Sequence, residues 1–158
     1  MTLRVANLGD QSALNRLFER SYPTLLKDVY DAETLKTALP KMIRAQPVLL
    51  SSGTFFVWDC AGILAGAGGW SVDKARADKA HIRHVATDPA HLRKGIAQAL
   101  IMHCLATAKA AGITEMECWS TRYAEGFYAA IGFSAIGPID AMLGGTVAFP
   151  SIRMTMFL

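Results

Sequence analysis

The chain is poor in every feature that marks a membrane span, a metal centre or a disulfide framework. No apolar run approaches the roughly 20 residues that a membrane-crossing helix needs, so no membrane partner is expected. Cysteine is scarce. Cys60, Cys104 and Cys118 are odd in number and scattered, with no CxxC pair and no Cys/His cluster at metal-ligand spacing. They read as reduced thiols filling small apolar gaps, and no metal is expected. Charge is sparse as well: charged residues make up 18% of the chain and the formal net charge is +3. That surplus suits an anionic ligand but is too small and dispersed for a nucleic-acid partner. Repeats, low-complexity tracts and linkers are also missing, and MTLRVANLGD has no signal-peptide core with a small-residue cleavage site. The expectation is a cytoplasmic protein forming a single domain over residues 1–158.

What is present is a core-forming pattern, with 52% hydrophobic residues. Leu3 to Asn7 reads as a first strand, and Asp10 as the N-cap of a helix whose Leu14, Leu17 and Phe18 share one face. Tyr22-Pro23 is expected to break that helix, a second should run from about Ala32 to Ala45, and Pro47 should end the region. TFFVW (Thr54–Trp58) and ILAGAGGWSV read as strands joined by a hairpin turn at Asp59-Cys60-Ala61-Gly62. His81 to Thr87 is a third strand of this group, its alternation placing His81, Arg83 and Val85 on one face and Ile82 and His84 on the other. A helix from about Arg93 to Ala110 ends at Gly112, then come a strand EMECWST, a short helix AEGFYAAIG and two last strands. The order β-α-α-β-β-β-α-β-α-β-β, with hairpins and one β-α-β crossover, implies an α/β fold: a mixed, largely antiparallel sheet with helices on both faces.

The most informative stretch is TDPAHLRKGIAQALIMHC, Thr87 to Cys104. Ile96, Leu100, Ile101, Cys104, Leu105 and Ala108 form one buried stripe, which fixes the helix and therefore its start. The first amides of a helix have no intrahelical partner and carry the positive end of its dipole. Gly95 and Ala97 lack bulk, and Arg93 and Lys94 add charge, so the turn suits a diphosphate. A solvated basic turn with no ligand satisfies the same spacing. The nucleotide-binding alternatives fail: no G-x-x-x-x-G-K-[ST] is present, and GAGGWS lies in a strand and lacks the third glycine of G-x-G-x-x-G.

Leu92-Arg93-Lys94-Gly95-Ile96-Ala97, after a strand and a proline-containing turn, resembles R/Q-x-x-G-x-G/A, motif A of the GNAT superfamily of acetyl-CoA-dependent N-acetyltransferases. Leu92 stands where that family usually carries Arg or Gln. Downstream, Ala124-Glu125-Gly126-Phe127-Tyr128-Ala129-Ala130-Ile131-Gly132-Phe133 is similar to the family's A-x-x-F-Y-x-x-x-G-F. The resemblance covers about residues 81–133 and implies a GNAT-like sheet of six to seven strands. It also implies transfer of an acetyl group from acetyl-CoA, as co-substrate, to a primary amine of a small molecule or peptide by direct attack in a ternary complex.

The same resemblance implies a cofactor site. Two parallel strands, His81–Thr87 and Glu115–Ser120, would splay to admit the pantetheine arm along Val85, Ala86 and Thr87, while Arg93, Lys94, Gly95, Ile96, Ala97 and Gln98 hold the diphosphate. An amide near Val85 would face the thioester oxygen. Tyr128 is the implied general acid for the leaving thiolate, with Tyr123 a weaker candidate. For the base three candidates stay open: His81, where some members carry glutamate, His84, and a chain of waters. His91 and His103 are expected in solvent. Tyr22, Tyr30, Glu33, Trp70 and Asp140 are candidate amine contacts, and the last strands offer a surface for a homodimer. A module that senses acetyl-CoA without catalysis is the alternative reading, given Leu92 and the missing carboxylate at position 81.

Overall fold

The computed structural model describes residues 2–158. Strand β1 (Thr2–Val5) is followed by a short 3-10 turn at Leu8–Asp10 and by helix α1 (Gln11–Leu26). Asp10 does not cap α1 with its side chain. Asn7 and Asp10 instead form a capping box on the preceding turn, and the Asp10 carboxylate is held by Arg4 at 2.8 Å. Nor does Pro23 end the helix: α1 runs through it to Leu26. One missing amide costs less there than exposing Tyr22 and Leu26, which are buried on the same stripe as Leu14, Leu17 and Phe18.

Helix α2 (Ala32–Met42) stops three residues before the expected end, and Pro47 opens a one-turn helix, α3 (Pro47–Leu50), rather than closing the region. Strands β2 (Phe55–Cys60) and β3 (Ile63–Val72) follow. Their two-residue turn has Ala61 at φ 53° and Gly62 at φ 89°, and Asp59 accepts the Gly62 amide at 2.7 Å. Then come β4 (Lys79–Thr87), a 3-10 turn (Pro89–His91), α4 (Ile96–Ala110), β5 (Glu115–Ser120), α5 (Glu125–Ile131), β6 (Ser134–Leu143) and β7 (Val147–Phe157).

The strands form one seven-stranded sheet in the order β1-β2-β3-β4-β5-β7-β6. Among the described residues only the central β4–β5 pair is parallel, because α4 is the crossover between them. Apolar clusters fill both sides. One joins α1 and α2 to the sheet through Leu14, Phe18, Leu26, Val57 and Ala67. The other seats α4 and α5 through Leu100, Ile101, Met116, Tyr128 and Phe133. Helix α4 lies close on β3, where a Cβ at Gly66 would stand 2.6 Å from Ile96 Cγ2. The expected α/β class is observed, and the element order matches apart from the added one-turn α3.

Candidate active site

The central feature is a parting of β4 from β5. Their pairing ends at His81↔Glu117, leaving the facing edge of β4 from Ile82 to Thr87 without a strand partner. Against β3 the register of β4 steps from Ala67↔Ala86 to Gly69↔Arg83, three residues against two, so β4 carries a bulge. His84 sits in it with φ 48°, a left-handed conformation uncommon outside glycine. Helix α1 holds the bulge in place: the Tyr22 hydroxyl donates to the Val85 carbonyl at 3.2 Å, and Phe18 packs on the His84 ring at 5.0 Å.

The extra residue also changes which way β4 faces. Ile82 and Val85 both pack against the α4–α5 cluster, whereas His84 turns to α1. The simple alternation expected from the sequence, with Val85 beside Arg83 and His84 beside Ile82, therefore breaks at this point. His84 Nδ1 is buried without a hydrogen-bond partner, and burial with Arg83 nearby pulls its pKa down to about 4. The neutral ring is packed on Phe18 and also lines the cavity where β4 and β5 part.

The gap opens into a cavity of about 880 Å³, large enough for a cofactor and an acceptor together. At one end stands the start of α4. Its first backbone bond runs from the Ala99 amide to the Gly95 carbonyl, at 3.0 Å, so the amides just ahead have no helical acceptor. Gly95 has φ 76°, and a Cβ there would meet nothing within 4 Å; Arg93 is also left-handed, at φ 61°. Asp88 steadies the entry to this turn, bridging Arg20 at 2.9 Å and capping the Ala90 amide at 2.9 Å. The backbone is fixed, glycine keeps the approach clear, and the exposed polar groups are donors: these residues fit a diphosphate.

Tyr128 lies under the cavity on α5, 5% exposed and edge-on to Phe127 and Phe133. Burial, with Cys118, Tyr22 and Cys104 around it, raises its pKa well above the ordinary value. Its phenol makes no hydrogen bond to the protein among the described residues and lines the cavity. Burial also pushes the thiols of Cys104 and Cys118 up to about 12, so both stay protonated fillers.

His81 stands where β4 and β5 part. Its Nε2 lies 2.6 Å from Asp73 Oδ1 and its Nδ1 3.7 Å from Glu117 Oε2. The hydrogen bond from His81, then the amides of Ala75 and Arg76, hold Asp73 down at about 2. Asp73 thus accepts, and Nε2 carries the hydrogen. Glu117 is 3% exposed; burial alone would raise its pKa, but bonds from Lys79 (2.9 Å), Trp119 (2.6 Å) and Arg153 (2.9 Å) outweigh that and lower it.

Of the residues singled out in the sequence, His81, His84, Val85, Ala86, Thr87, His91, Arg93, Gly95, Ile96, Ala97, Gln98, Tyr123 and Tyr128 line this one cavity. Lys94 does not: it is exposed, its amine 3.4 Å from His91 Nδ1. Ile96 is 2% exposed and offers its backbone rather than its side chain. Among the proposed amine contacts only Tyr22 lines the cavity. Tyr30 instead ties Pro150 to Arg122, and Trp70 bonds Thr107 on the opposite face. His103, expected in solvent, packs edge-on against Phe56 at 4.5 Å. Asp73, Arg83, Glu117 and Trp119 were not read as site residues. Arg83 and Glu117 find Ser71, Arg153 and Lys79 on other strands, whereas Trp119 bonds Glu117 within β5 and Asp73 meets His81 across a hairpin, eight residues away.

No curated protein matches the chain significantly. Solved structures do. A GCN5-related N-acetyltransferase from Rhodopseudomonas palustris superposes with TM-score 0.84 at 18% identity, over 99% of this chain and 95% of that one. PaiA N-acetyltransferase from Thermoplasma acidophilum, solved with coenzyme A, gives 0.72 at 16% identity, over 99% and 98%. N-acetylglutamate synthase from Neisseria gonorrhoeae, solved with coenzyme A and N-acetylglutamate, gives 0.69 at 18% identity, over 99% of this chain but 35% of that one. At such identities the likeness establishes the fold. The sequence itself matches the model of the acetyltransferase (GNAT) domain over residues 25–147, most of its length, and the chain belongs to that family.

Proposed function

We propose that the whole chain acts as one N-acetyltransferase unit, passing an acetyl group from acetyl-CoA to a primary amine by direct attack within a ternary complex. One observation carries this reading: an open strand edge, a row of free helix amides and a protonated phenol all border one cavity.

The backbone from Arg93 to Gln98 holds the diphosphate, with Arg93 beside it and Lys94 adding charge at the surface. Each charge-assisted hydrogen bond there is worth about 1.5–3 kcal/mol. Leu92, also in the lining, supplies no such bond. The unpaired edge of β4 at Val85, Ala86 and Thr87 takes the pantetheine arm as an added strand would be taken. The bound thioester supplies an activated acyl group and a thiolate leaving group.

The remaining work belongs to the side chains. Backbone donors at the bulge stabilise charge on the carbonyl oxygen. Tyr128 remains protonated at all physiological pH values and donates to the leaving sulfur; the apolar surroundings that raise the phenol also make a bare thiolate costly, which favours the transfer. His81 takes the amine proton. With Nε2–H fixed on Asp73, the lone pair is at Nδ1, and a proton accepted there finds Glu117 Oε2 3.7 Å away. Asp73 and Glu117 are positioning residues.

Two measurements test this. Acetyl-CoA should raise Tm, since a ligand that prefers the native state stabilises it. Tyr128→Phe should lower kcat by roughly a hundredfold or more with coenzyme A affinity nearly unchanged. Unaltered turnover would remove Tyr128 from the mechanism, and cofactor binding with no turnover of any amine would favour a sensor.

A further inference from the structure

The acceptor half of the cavity has an uneven chemistry. Its walls are largely apolar: Leu25 from α1, Met42 from α2, and Met142, Leu143 and Phe149 from the β6–β7 hairpin. Among the described residues, no aspartate or glutamate lines the cavity at all. A polyamine or aminoglycoside would carry several positive charges into it and find no counter-charge, at heavy desolvation cost.

Two cationic side chains interrupt the apolar walls there, Lys41 on α2, which is exposed, and Arg83. Arg83 lies on β4 between His81 and the bulge, part-buried and lining the cavity. Its Nε donates to Ser71 Oγ at 2.8 Å, which fixes the plane of the guanidinium. The terminal Nη groups have no protein acceptor and Arg83 enters no ion pair among the described residues. The two carboxylates whose field it feels, Asp73 and Glu117, are engaged elsewhere. Asp73 accepts from His81 and from the amides of Ala75 and Arg76. Glu117 accepts from Lys79, Trp119 and Arg153. A part-buried, oriented guanidinium with both terminal NH2 groups unused is the usual means of recognising a planar anion end-on. Arg83 and Val85 flank the bulge and both line the cavity, so Arg83 is within reach of a group only a few bonds from an amine positioned beside Val85.

We propose that Arg83 is the specificity-determining residue of the acceptor site, and that the acceptor is an amino acid: a primary amine a few bonds from a carboxylate, with an uncharged, mainly apolar remainder. The carboxylate lies on the Arg83 Nη edge, the remainder against Met42, Met142 and Phe149, and the amine toward the bulge. This rests on the acetyl-transfer reading above.

The test follows thiol release from acetyl-CoA by the full chain. The acceptors are the standard L-amino acids, their carboxamides and spermidine, and the melting shift given by coenzyme A is measured alongside. At least one amino acid should be turned over with kcat/KM about tenfold or more above its carboxamide. Arg83→Gln should bring that ratio toward unity by raising KM for the acid, and Arg83→Lys should hold part of it, with the coenzyme A shift retained in both. A carboxamide or spermidine accepted as well as any amino acid overturns the inference. So does selectivity that survives Arg83→Gln. Silence from every acceptor with the coenzyme A shift intact also overturns it and leaves the cofactor reading standing. A wild-type chain with no coenzyme A shift overturns that reading itself.

Discussion

A methyl group added at Gly66 should loosen the cofactor site from beneath, without touching the cofactor. Gly66 lies in β3 under the first turn of α4, where a Cβ would stand 2.6 Å from Ile96 Cγ2 and 3.0 Å from Leu100 Cδ1. Carbon atoms rest at about 3.5–4.0 Å, so relief requires a displacement of roughly 1 Å. Ile96 cannot swing aside: a β-branched side chain in a helix is nearly confined to one χ1 rotamer, and Cγ2 sits one bond from Cβ. The shift therefore passes to the backbone of the turn whose amides face the cavity. Overpacking of this kind costs about 1–3 kcal/mol, or roughly 2–12 °C in Tm for a domain of this size. Losing one charge-assisted bond to the diphosphate weakens coenzyme A binding by about tenfold or more. Calorimetry of coenzyme A binding to Gly66→Ala reads the second effect directly. Ile96→Ala removes the clashing carbon, so the double variant should be less destabilised than the sum of the single ones by about 1 kcal/mol or more. An unchanged Kd in Gly66→Ala, or strictly additive stabilities, would refute the coupling of β3 packing to the cradle.

Acid should destabilise the chain through His84. Its pKa falls from 6.5 to about 4 on folding, so the unfolded state binds a proton first as pH drops. The stability is whole above 6.5 and is lost between there and about 4, amounting to about 3 kcal/mol. Urea midpoints at several pH values should show that slope, and His84→Asn, which tolerates the left-handed backbone, should flatten it; an equal slope in the variant would contradict the assignment. Asp73→Ala should lower kcat about tenfold while leaving coenzyme A affinity in place, because it frees the His81 ring without touching the cradle; a change confined to cofactor affinity would argue against a positioning role. Tyr22→Phe removes the bond to the Val85 carbonyl and should cost about 1 kcal/mol in denaturant titration, with kcat falling more than affinity. Stability lost with kcat intact would mean that the bulge holds its shape alone.

The turn from Arg93 to Gln98 and the helix carrying Tyr128, which border the proposed site, are legible in the sequence because both depend on contiguous residues. A stripe at helical spacing fixes α4, and Gly95 with Ala97 marks where backbone must stay bare. The end of α1 departs from the local signals at Tyr22-Pro23 because these compete with burial of Tyr22 and Leu26 against a sheet assembled from distant chain. The charge relations of the site were hidden for the same reason. Glu117 meets Arg153 across 36 positions, and Arg20 meets Asp88 across 68. Arg83 is legible as a strand residue but not as a site residue, because the property that singles it out, a guanidinium with no ion-pair partner among the described residues, exists only once the other carboxylates have found theirs.

The bulge ties these observations together. An unbroken β4 would have continued its ladder with β5 past His81, satisfying the edge that the proposed arm needs. One extra residue at His84 breaks the alternation and puts Ile82 and Val85 on the α5 side. The same residue leaves Ile82 to Thr87 unpaired beside Cys118 to Ser120. The left-handed backbone is unfavourable by roughly 1–2 kcal/mol, and the neutral buried imidazole adds an unsatisfied nitrogen. Both persist because α1 overdetermines the spot, with Phe18 on the ring and Tyr22 on the next carbonyl. That explains why α1 continues through a proline: the turn containing Tyr22 holds the bulge that opens the cavity. Local instability at the helix end and at the strand is thus offset by packing between them, at the place where the proposed chemistry needs a fixed, unpaired backbone.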